Sequence, residues 1–143
     1  MARSSRDGHT LTLAMIDADG LKQANDSSGH AAGDACLRHL TEALRRNVRE
    51  SDWIARWGGD EFVVSFWDAH DHASPETVLE RVARGLRENP VVLAEVSGEL
   101  RLTFSAGLSR SVSVDHPTDL VARADALLYE AKRDGRARIA LEP

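Results

Sequence analysis

The sequence predicts an α/β domain, in which helices pack against one mixed β-sheet. The length of 143 residues fits one domain that can bury a core without metals or disulfides. The composition, 42% hydrophobic and 29% charged, excludes a disordered or fibrous chain. Short apolar runs alternate with periodic helix-like segments in the order β-α-β-β-α-β-β-α-β. This order suggests a single ferredoxin-like sandwich over residues 1–143.

The first third of the chain predicts a strand, a loop and a helix. Thr10 to Ile16 is a nearly unbroken apolar run, the pattern of a strand covered on both faces. Asp17 to Gly29 is rich in turn residues and predicts a loop or an irregular turn. His30 to Val48 predicts a helix whose apolar residues share one face, namely Leu37, Leu40, Leu44 and Val48.

Two β-type runs in the middle of the chain predict a hairpin. They are Trp53 to Trp57 and Glu61 to Trp67, separated by Gly58-Gly59-Asp60. The tip of this hairpin would carry Asp60 and Glu61. We expect the tryptophans at 53, 57 and 67 to be packing residues. A platform that stacks nucleic-acid bases would also need a basic groove, and the sequence around these residues does not supply one.

The second half of the chain continues the alternation of helices and strands. A proline start predicts a helix at Pro75 to Glu88, and apolar periodicity predicts another at Thr118 to Arg133, with Gly135 as its C-terminal cap. The remaining predicted segments are a polar loop at Asp68 to Ser74 and strands at Val91 to Val96, Glu99 to Leu108 and Ala137 to Leu141.

Charge and cysteine content exclude several classes of protein. The single Cys36 excludes a disulfide framework and suits a reducing cytoplasm. It lies among small and apolar residues of the first predicted helix, so we expect its side chain to be packed in the core. No apolar run is long enough for a membrane helix. A net charge of −5 gives no electrostatic footprint for duplex nucleic acid. An acidic protein can still bind a nucleotide when metal ions bridge the two negative partners.

Acidic side chains gather at the predicted strand ends. In a ferredoxin-like sheet the first strand and the central hairpin are neighbours, so Asp17 and Asp60 could face each other across a short gap. Two carboxylates and a backbone carbonyl form a hard oxygen site suited to Mg²⁺ or Mn²⁺. Gly58 and Gly59 would permit close approach of a ligand. Each signal alone is weak, because Asp-Gly and Gly-Gly pairs are also ordinary turns.

Four motifs stand in order between Leu11 and Ile139. They are DADGLKQAND at 17–26 with GH at 29–30 and GD at 33–34, RWGGDEF at 56–62, TFSAG at 103–107 and ALLYEAKRDGR at 126–136. Together they resemble the signatures of the GGDEF family, the diguanylate cyclases. The resemblance implies a nucleotidyl-cyclase-type fold that condenses two GTP into cyclic di-GMP and releases pyrophosphate. It also implies a homodimer, with one GTP on each subunit.

The resemblance assigns the reacting end of the nucleotide to three segments. Asp17, Asp60 and the carbonyl of Ala18 would ligate Mg²⁺ or Mn²⁺, two ions for each half-site. Glu61 would lie beside the metals and help to deprotonate the ribose 3′-OH. The β- and γ-phosphates would be held by the cations Lys22, Lys132 and Arg136.

Asn25 and Asp34 match the family's guanine-reading pair. A carboxylate accepts from both N1–H and N2–H₂ of guanine, whereas adenine presents an acceptor at N1, so we expect a preference for GTP over ATP. An adenylyl-type or hybrid cyclic dinucleotide synthase would be expected to carry a different residue at the position of Asp34. Without the resemblance, Asp34 would be an ordinary acidic residue at a helix N-terminus.

Arg49 and Asp52 match the RxxD product-inhibition site of the family, at its expected distance before the hairpin. Arg81 would add a further contact to bound cyclic di-GMP. The alternative for this short pattern is a solvated helix end followed by a turn. The histidines at 70 and 72 are expected to lie in a solvated loop rather than at a metal.

One family feature does not match. Family domains begin with a helix carrying a DxLTGLxNR segment before the first strand, and this sequence does not show it. The alternative function is therefore a catalytically weak module that binds GTP or cyclic di-GMP as a sensor. Retained Asp17, Asp60 and Glu61 favour the enzyme.

Overall fold

A computed structural model describes residues 10–67, 73–92, 99–111 and 116–143. Its strands are β1 (Leu11–Ala18), β2 (Trp53–Arg56), β3 (Glu61–Trp67), β4 (Val91–Val92), β5 (Glu99–Leu100), β6 (Phe104–Arg110) and β7 (Ile139–Leu141). Its helices are α1 (Leu21–Ser28), α2 (His30–Asn47), α3 (Pro75–Glu88) and α4 (Pro117–Arg133). Five strands form one sheet in the order β2-β3-β1-β6-β7, while β4 and β5 pair separately. Only the β6–β7 pairing in the described sheet is parallel, which confirms the mixed sheet.

The central strand β1 is buried along its whole length because helices cover both faces of the sheet. Ala14 and Ile16 belong to a core completed by α2 and α3, whereas Leu13 and Met15 pack with α4 on the opposite face. This double burial is the physical reason for the unbroken apolar run, since alternation appears only in strands with one wet face. Cys36 lies fully buried on α2, as predicted, and burial raises the pKa of its thiol.

The prediction of a loop over Asp17 to Gly29 is wrong, because Leu21–Ser28 form the helix α1. Gly20 begins this helix with a left-handed backbone, φ 76°, which glycine adopts without a steric penalty. Leu21 and Ala24, three positions apart, bury one side of the helix. Tertiary burial of these two residues outweighs the weak helix propensity of the Asn, Asp and Ser that follow.

The predicted strand at Glu99 to Leu108 is two strands. β5 pairs with β4 in the small sheet, and β6 belongs to the main sheet. Between them the Thr103 carbonyl accepts a hydrogen bond from the Asp19 backbone N–H, 2.9 Å, at the end of β1. A uniform β-type composition does not reveal which residues change sheets.

The last strand begins at Ile139, two residues later than predicted, because Arg136 and Ala137 have positive φ values. The predicted helices agree with α2, α3 and α4 to within one residue at each end. The rest of the predicted strand at Val91 to Val96, and the loop carrying the histidines at 70 and 72, lie outside the described residues. In the described part of the chain, no helix is long and apolar enough to cross a membrane.

Two of the three tryptophans are exposed, contrary to the packing prediction. Trp53 is 72% exposed and Trp57 is 60% exposed. Trp53 starts β2, an edge strand, whereas α4 packs on β1, β6 and β7 at the other end of the sheet. Trp67 is half-buried against the core under α4, so the prediction is confirmed for this residue alone.

Candidate functional site

The carboxyl end of β1 meets the tip of the β2–β3 hairpin. In the antiparallel register Asp17 stands opposite Glu61, and the Ala18 backbone N–H donates to the Asp60 carbonyl, 3.2 Å. The predicted neighbourhood of first strand and hairpin is therefore confirmed. An open cavity of about 480 Å³ lies at this junction. We call it the carboxylate cavity, and it is lined by Asp17, Ala18, Asp19, Gly20, Leu21, Lys22, Gln23, Asp60, Lys132 and Arg136.

Asp17 is the buried charge of this cavity, with 6% of its surface exposed. Its Oδ2 pairs with the Lys132 ammonium, whereas its Oδ1 is buried and has no hydrogen-bond partner among the described residues. Burial raises the pKa of Asp17 from 3.8 to about 6; Lys132 opposes this rise, and the negative charges of Asp60 and Glu61 add to it. A buried oxygen without a partner is costly, so this atom requires a reason beyond the packing of the described side chains.

Asp60 and Glu61 differ in exposure at the hairpin tip. Asp60 is exposed, while Glu61 is half-buried where β3 begins. Arg56, which the sequence analysis quoted only as part of a motif, braces this turn, since its guanidinium donates to the carbonyls of Gly58, 3.2 Å, and Gly59, 2.5 Å. These two hydrogen bonds hold the turn and thereby fix the backbone position of Asp60.

The two glycines of the tip leave open space. A Cβ built on Gly59 would meet no other atom within 4 Å, and one built on Gly58 would approach only Glu61, at 3.5 Å. Internal packing therefore does not require glycine at either position. Space that the fold does not use is consistent with close approach of a ligand.

Asn25 lies on α1 directly against Gly33 of α2. A Cβ built on Gly33 would stand 2.1 Å from the Asn25 Oδ1 atom, so any larger residue would displace the amide. The same Oδ1 is buried without a described hydrogen-bond partner. Asp34 follows Gly33 in the first turns of α2 and is exposed. The two predicted base-reading residues thus belong to helices in direct contact, and one of them holds an unsatisfied polar atom.

Asp19 belongs to the first acidic motif, but its role was not predicted from the sequence. Its carboxylate accepts from the Thr103 hydroxyl, 2.9 Å, the Ser105 hydroxyl, 2.8 Å, and the Ala137 backbone N–H, 3.1 Å. The available signal was the spacing of Thr103 and Ser105, two hydroxyl residues two positions apart at the start of β6. Asp19 therefore ties β1 to β6 and to the turn that carries Arg136.

The RxxD residues form a clasp between the α2–β2 connection and the end of β3. The Asp52 carboxylate accepts from the Arg49 backbone N–H, 2.9 Å, and from the Trp67 backbone N–H, 3.3 Å, with its side chain only 1% exposed. The Arg49 guanidinium donates to Asp52, 3.3 Å, and to the Trp67 carbonyl, 2.5 Å. Arg81 is exposed on α3. Asp52 already has donors within the protein, whereas part of the Arg49 side chain remains open to solvent.

The residues of the carboxylate cavity could hold a hard cation only if a bound molecule supplied further oxygen ligands. Within the described ranges, no cluster of three or more His, Cys, Asp or Glu side chains is placed to hold a metal ion. Asp17, Asp60 and the Ala18 carbonyl supply fewer oxygens than Mg²⁺ requires, which is usual where substrate phosphates complete the shell. The unpartnered Oδ1 of Asp17 supports this fit.

Comparisons with known proteins find relatives that match nearly the whole chain. The family model described as "Diguanylate cyclase, GGDEF domain" matches residues 1–138. Diguanylate cyclase DgcP of Pseudomonas aeruginosa is 39% identical over 140 residues, which are 97% of this chain and 20% of that protein. Diguanylate cyclase DosC of Escherichia coli is 36% identical over 141 residues, 99% of this chain and 30% of that protein. The chain thus spans less than a third of the length of these two relatives.

Solved structures extend the likeness to three dimensions. The GGDEF domain of DgcB from Caulobacter crescentus, in complex with c-di-GMP, superposes with a TM-score of 0.89 at 29% identity, covering 98% of this chain and 82% of that one. Diguanylate cyclase SiaD from Pseudomonas aeruginosa, in complex with its activator SiaC, gives 0.86 at 35% identity, covering 99% and 53%. A sheet that places its motif hairpin beside Asp17, and a family model that matches nearly the whole sequence, lead to one assignment: the chain belongs to the GGDEF domain family of the diguanylate cyclases.

Proposed function

We propose that this domain condenses two molecules of GTP into cyclic di-GMP and releases two pyrophosphates. The observation that carries the proposal is the buried Asp17, which has an unpartnered oxygen and lines a cavity together with Asp60, Lys132 and Arg136. In each condensation the ribose 3′-oxygen bonds to the α-phosphorus of the other GTP. The bond from that phosphorus to the pyrophosphate oxygen breaks, and the hydroxyl proton leaves to a base.

The residues of the cavity divide this chemistry between them. Asp17, Asp60 and the Ala18 carbonyl would hold two Mg²⁺ or Mn²⁺ ions, which supply charge neutralisation at the attacking and leaving oxygens. Glu61, opposite Asp17 in the register, is the proposed base for the 3′-OH proton. Lys132 and Arg136 line the cavity with Lys22, and their charges suit the β- and γ-phosphates.

The α1–α2 pair is the proposed site for the base. Asn25 offers a buried amide oxygen without a described partner. Guanine carries its N–H donors, at N1 and N2, together on one edge of the base. The exposed Asp34 carboxylate would accept from N1–H and N2–H₂ together. Because the cyclic product needs two bonds formed in opposite directions, two copies of the domain must face each other as a homodimer.

The test is to incubate the protein with GTP and Mg²⁺ and to measure cyclic di-GMP by mass spectrometry. We expect product from the wild type and none from Asp60→Ala, while Asp125→Ala, an exposed aspartate of α4 that does not line the cavity, serves as the matched control. Omission of Mg²⁺ and Mn²⁺ should also abolish product. A wild type that binds GTP or cyclic di-GMP without turnover would refute the cyclase and identify a sensor module.

Product inhibition through Arg49, with Asp52 and Arg81, is the finer part of the proposal. The open portion of Arg49 could grip a guanine edge or a phosphate of cyclic di-GMP, with Asp52 holding Arg49 in place. We expect Arg49→Ala to retain turnover and to accumulate more cyclic di-GMP than wild type. Arg46→Ala, exposed in the last turn of α2, is the control. Equal inhibition of wild type and Arg49→Ala by added cyclic di-GMP would leave the clasp as the sole role of this motif.

A further inference from the structure

The turn after α4 adopts a backbone that its residues disfavour. Gly135, Arg136 and Ala137 have consecutive φ values of 119°, 63° and 49°. Glycine tolerates this region, but a Cβ makes it costly, and two such residues in succession need support from their surroundings. Arg136 is one of them, and it lines the carboxylate cavity. The direction of its side chain therefore depends on whatever holds the turn.

The Arg136 backbone N–H donates to the Ala131 carbonyl, 2.9 Å, and Asp19, which also lines the cavity, supports the turn at the following residue. Its Oδ2 accepts from the Ala137 backbone N–H and from the Thr103 hydroxyl, and its Oδ1 accepts from the Ser105 hydroxyl. Its own backbone N–H donates to the Thr103 carbonyl. The carboxylate is thus fixed on both oxygens, to Ser105 of β6 and to Thr103 just before it, and from there it contacts the turn.

We propose that Asp19 is a positioning residue, which holds the left-handed turn so that Arg136 points its charge at the nucleotide phosphates. The proposal rests on the proposed function, since phosphate is what Arg136 would bind. Both oxygens of Asp19 already have donors, so this carboxylate acts through the Ala137 amide rather than by contact with substrate or metal. The adjacent Asp17, with an unpartnered oxygen, has the opposite character.

The experiment measures binding of a GTP analogue with an α,β-methylene bridge, in Mg²⁺, by calorimetry. This probe cannot be condensed, so turnover plays no part. We expect Asp19→Ala to weaken binding about tenfold, as loss of one hydrogen bond to a charged group would. Asp19→Asn should bind nearly as well as wild type, because its amide oxygen can still accept from Ala137 while the Ser105 hydroxyl accepts from its NH₂ group. Ala137→Gly, which removes the steric cost at that position, should partly restore affinity to Asp19→Ala.

The decisive comparison uses Arg136. In an Arg136→Ala background, Asp19→Ala should cost no further affinity, because the residue through which it acts is gone. An equal tenfold loss in that background would overturn the proposal. Ser105→Ala is the matched control, since it removes one bond to the same carboxylate but leaves the Ala137 bond intact, and its affinity should stay within about twofold of wild type.

Hydrogen exchange gives a readout that needs neither substitution nor activity. The wild-type Ala137 amide should be protected although its residue is exposed, and exchange at the rate of an unstructured peptide would overturn the proposal even if Asp19→Ala did not fold. A wild type that binds the analogue with this pattern of variants, yet makes no cyclic di-GMP, would refute the cyclase proposal and leave the role of Asp19 standing.

Discussion

Replacing Asp17 by Asn should make the variant more stable relative to the wild type as the pH rises. The pKa of this carboxyl is raised from 3.8 to about 6, mainly by burial. Between these values the folded protein retains a proton that the unfolded chain has lost. The free energy of unfolding of the wild type therefore falls as the pH rises through this window, whereas the variant has no group there to titrate.

The magnitude follows from the interval between the two pKa values. At about 1.36 kcal/mol for each pKa step, the interval corresponds to about 3 kcal/mol over the full titration. About 1 kcal/mol of this is already lost at pH 4.5, so about 2 kcal/mol remains between pH 4.5 and pH 8. The side chain is 9% exposed, so solvent screening reduces the figure little. Loss of the Lys132 pair shifts the absolute stability of the variant but leaves this pH dependence.

The assay is urea unfolding of wild type and Asp17→Asn at several pH values from 4.5 to 8. The unfolding free energy of Asp17→Asn minus that of the wild type should rise by about 2 kcal/mol from pH 4.5 to pH 8. Asp60→Asn, at an exposed position of the same cavity, is the control, because it keeps the buried Asp17 and should therefore keep most of the wild-type pH dependence. Parallel curves for wild type and Asp17→Asn would show that burial does not disfavour this charge, and the reasoning would fail.

Three further substitutions test particular contacts. Gly33→Ala would ordinarily favour a helix, but here its Cβ meets Asn25 at 2.1 Å, so guanine-nucleotide affinity measured by calorimetry should fall at least about tenfold, and unchanged affinity would contradict the assignment of Asn25. Gly107→Ala should destabilise by at least about 3 kcal/mol in urea unfolding, because its Cβ would lie 2.2 Å from a carbonyl of α4, and a smaller loss would mean that α4 can move away. Asp34→Ser should lower the ratio of product formed from GTP to product formed from ATP. An unchanged ratio would mean that other residues select the base.

Hydrophobic periodicity predicted the main helices and the central hairpin because their burial is local and regular. The run before Asp17 is nearly unbroken in its apolar residues, and β1 is indeed covered on both faces. The adjacency of Asp17 and the hairpin tip also followed, since a ferredoxin-like order leaves few ways to pair these strands.

The features that escaped prediction depend on contacts distant in sequence. α1 exists because Leu21 and Ala24 meet the rest of the core, which a turn-rich composition conceals. The clamp by Asp19 joins residues more than a hundred positions apart, and no local pattern marks Ala137 as its partner. The exposure of Trp53 depends on where α4 lies across the sheet, which the periodicity of α4 does not specify.

Lys132 has two competing partners in the proposed reaction. Without nucleotide it pairs with Asp17, a buried carboxylate whose neighbours Asp60 and Glu61 are also acidic. A lysine in this position offsets part of the cost of placing negative charge at the end of a strand covered on both faces. Phosphates entering the carboxylate cavity would draw on the same ammonium, and Asp17 would then need another cation. Lys132 and Mg²⁺ would therefore be alternative sources of positive charge for Asp17, which would link metal and triphosphate binding through a single side chain.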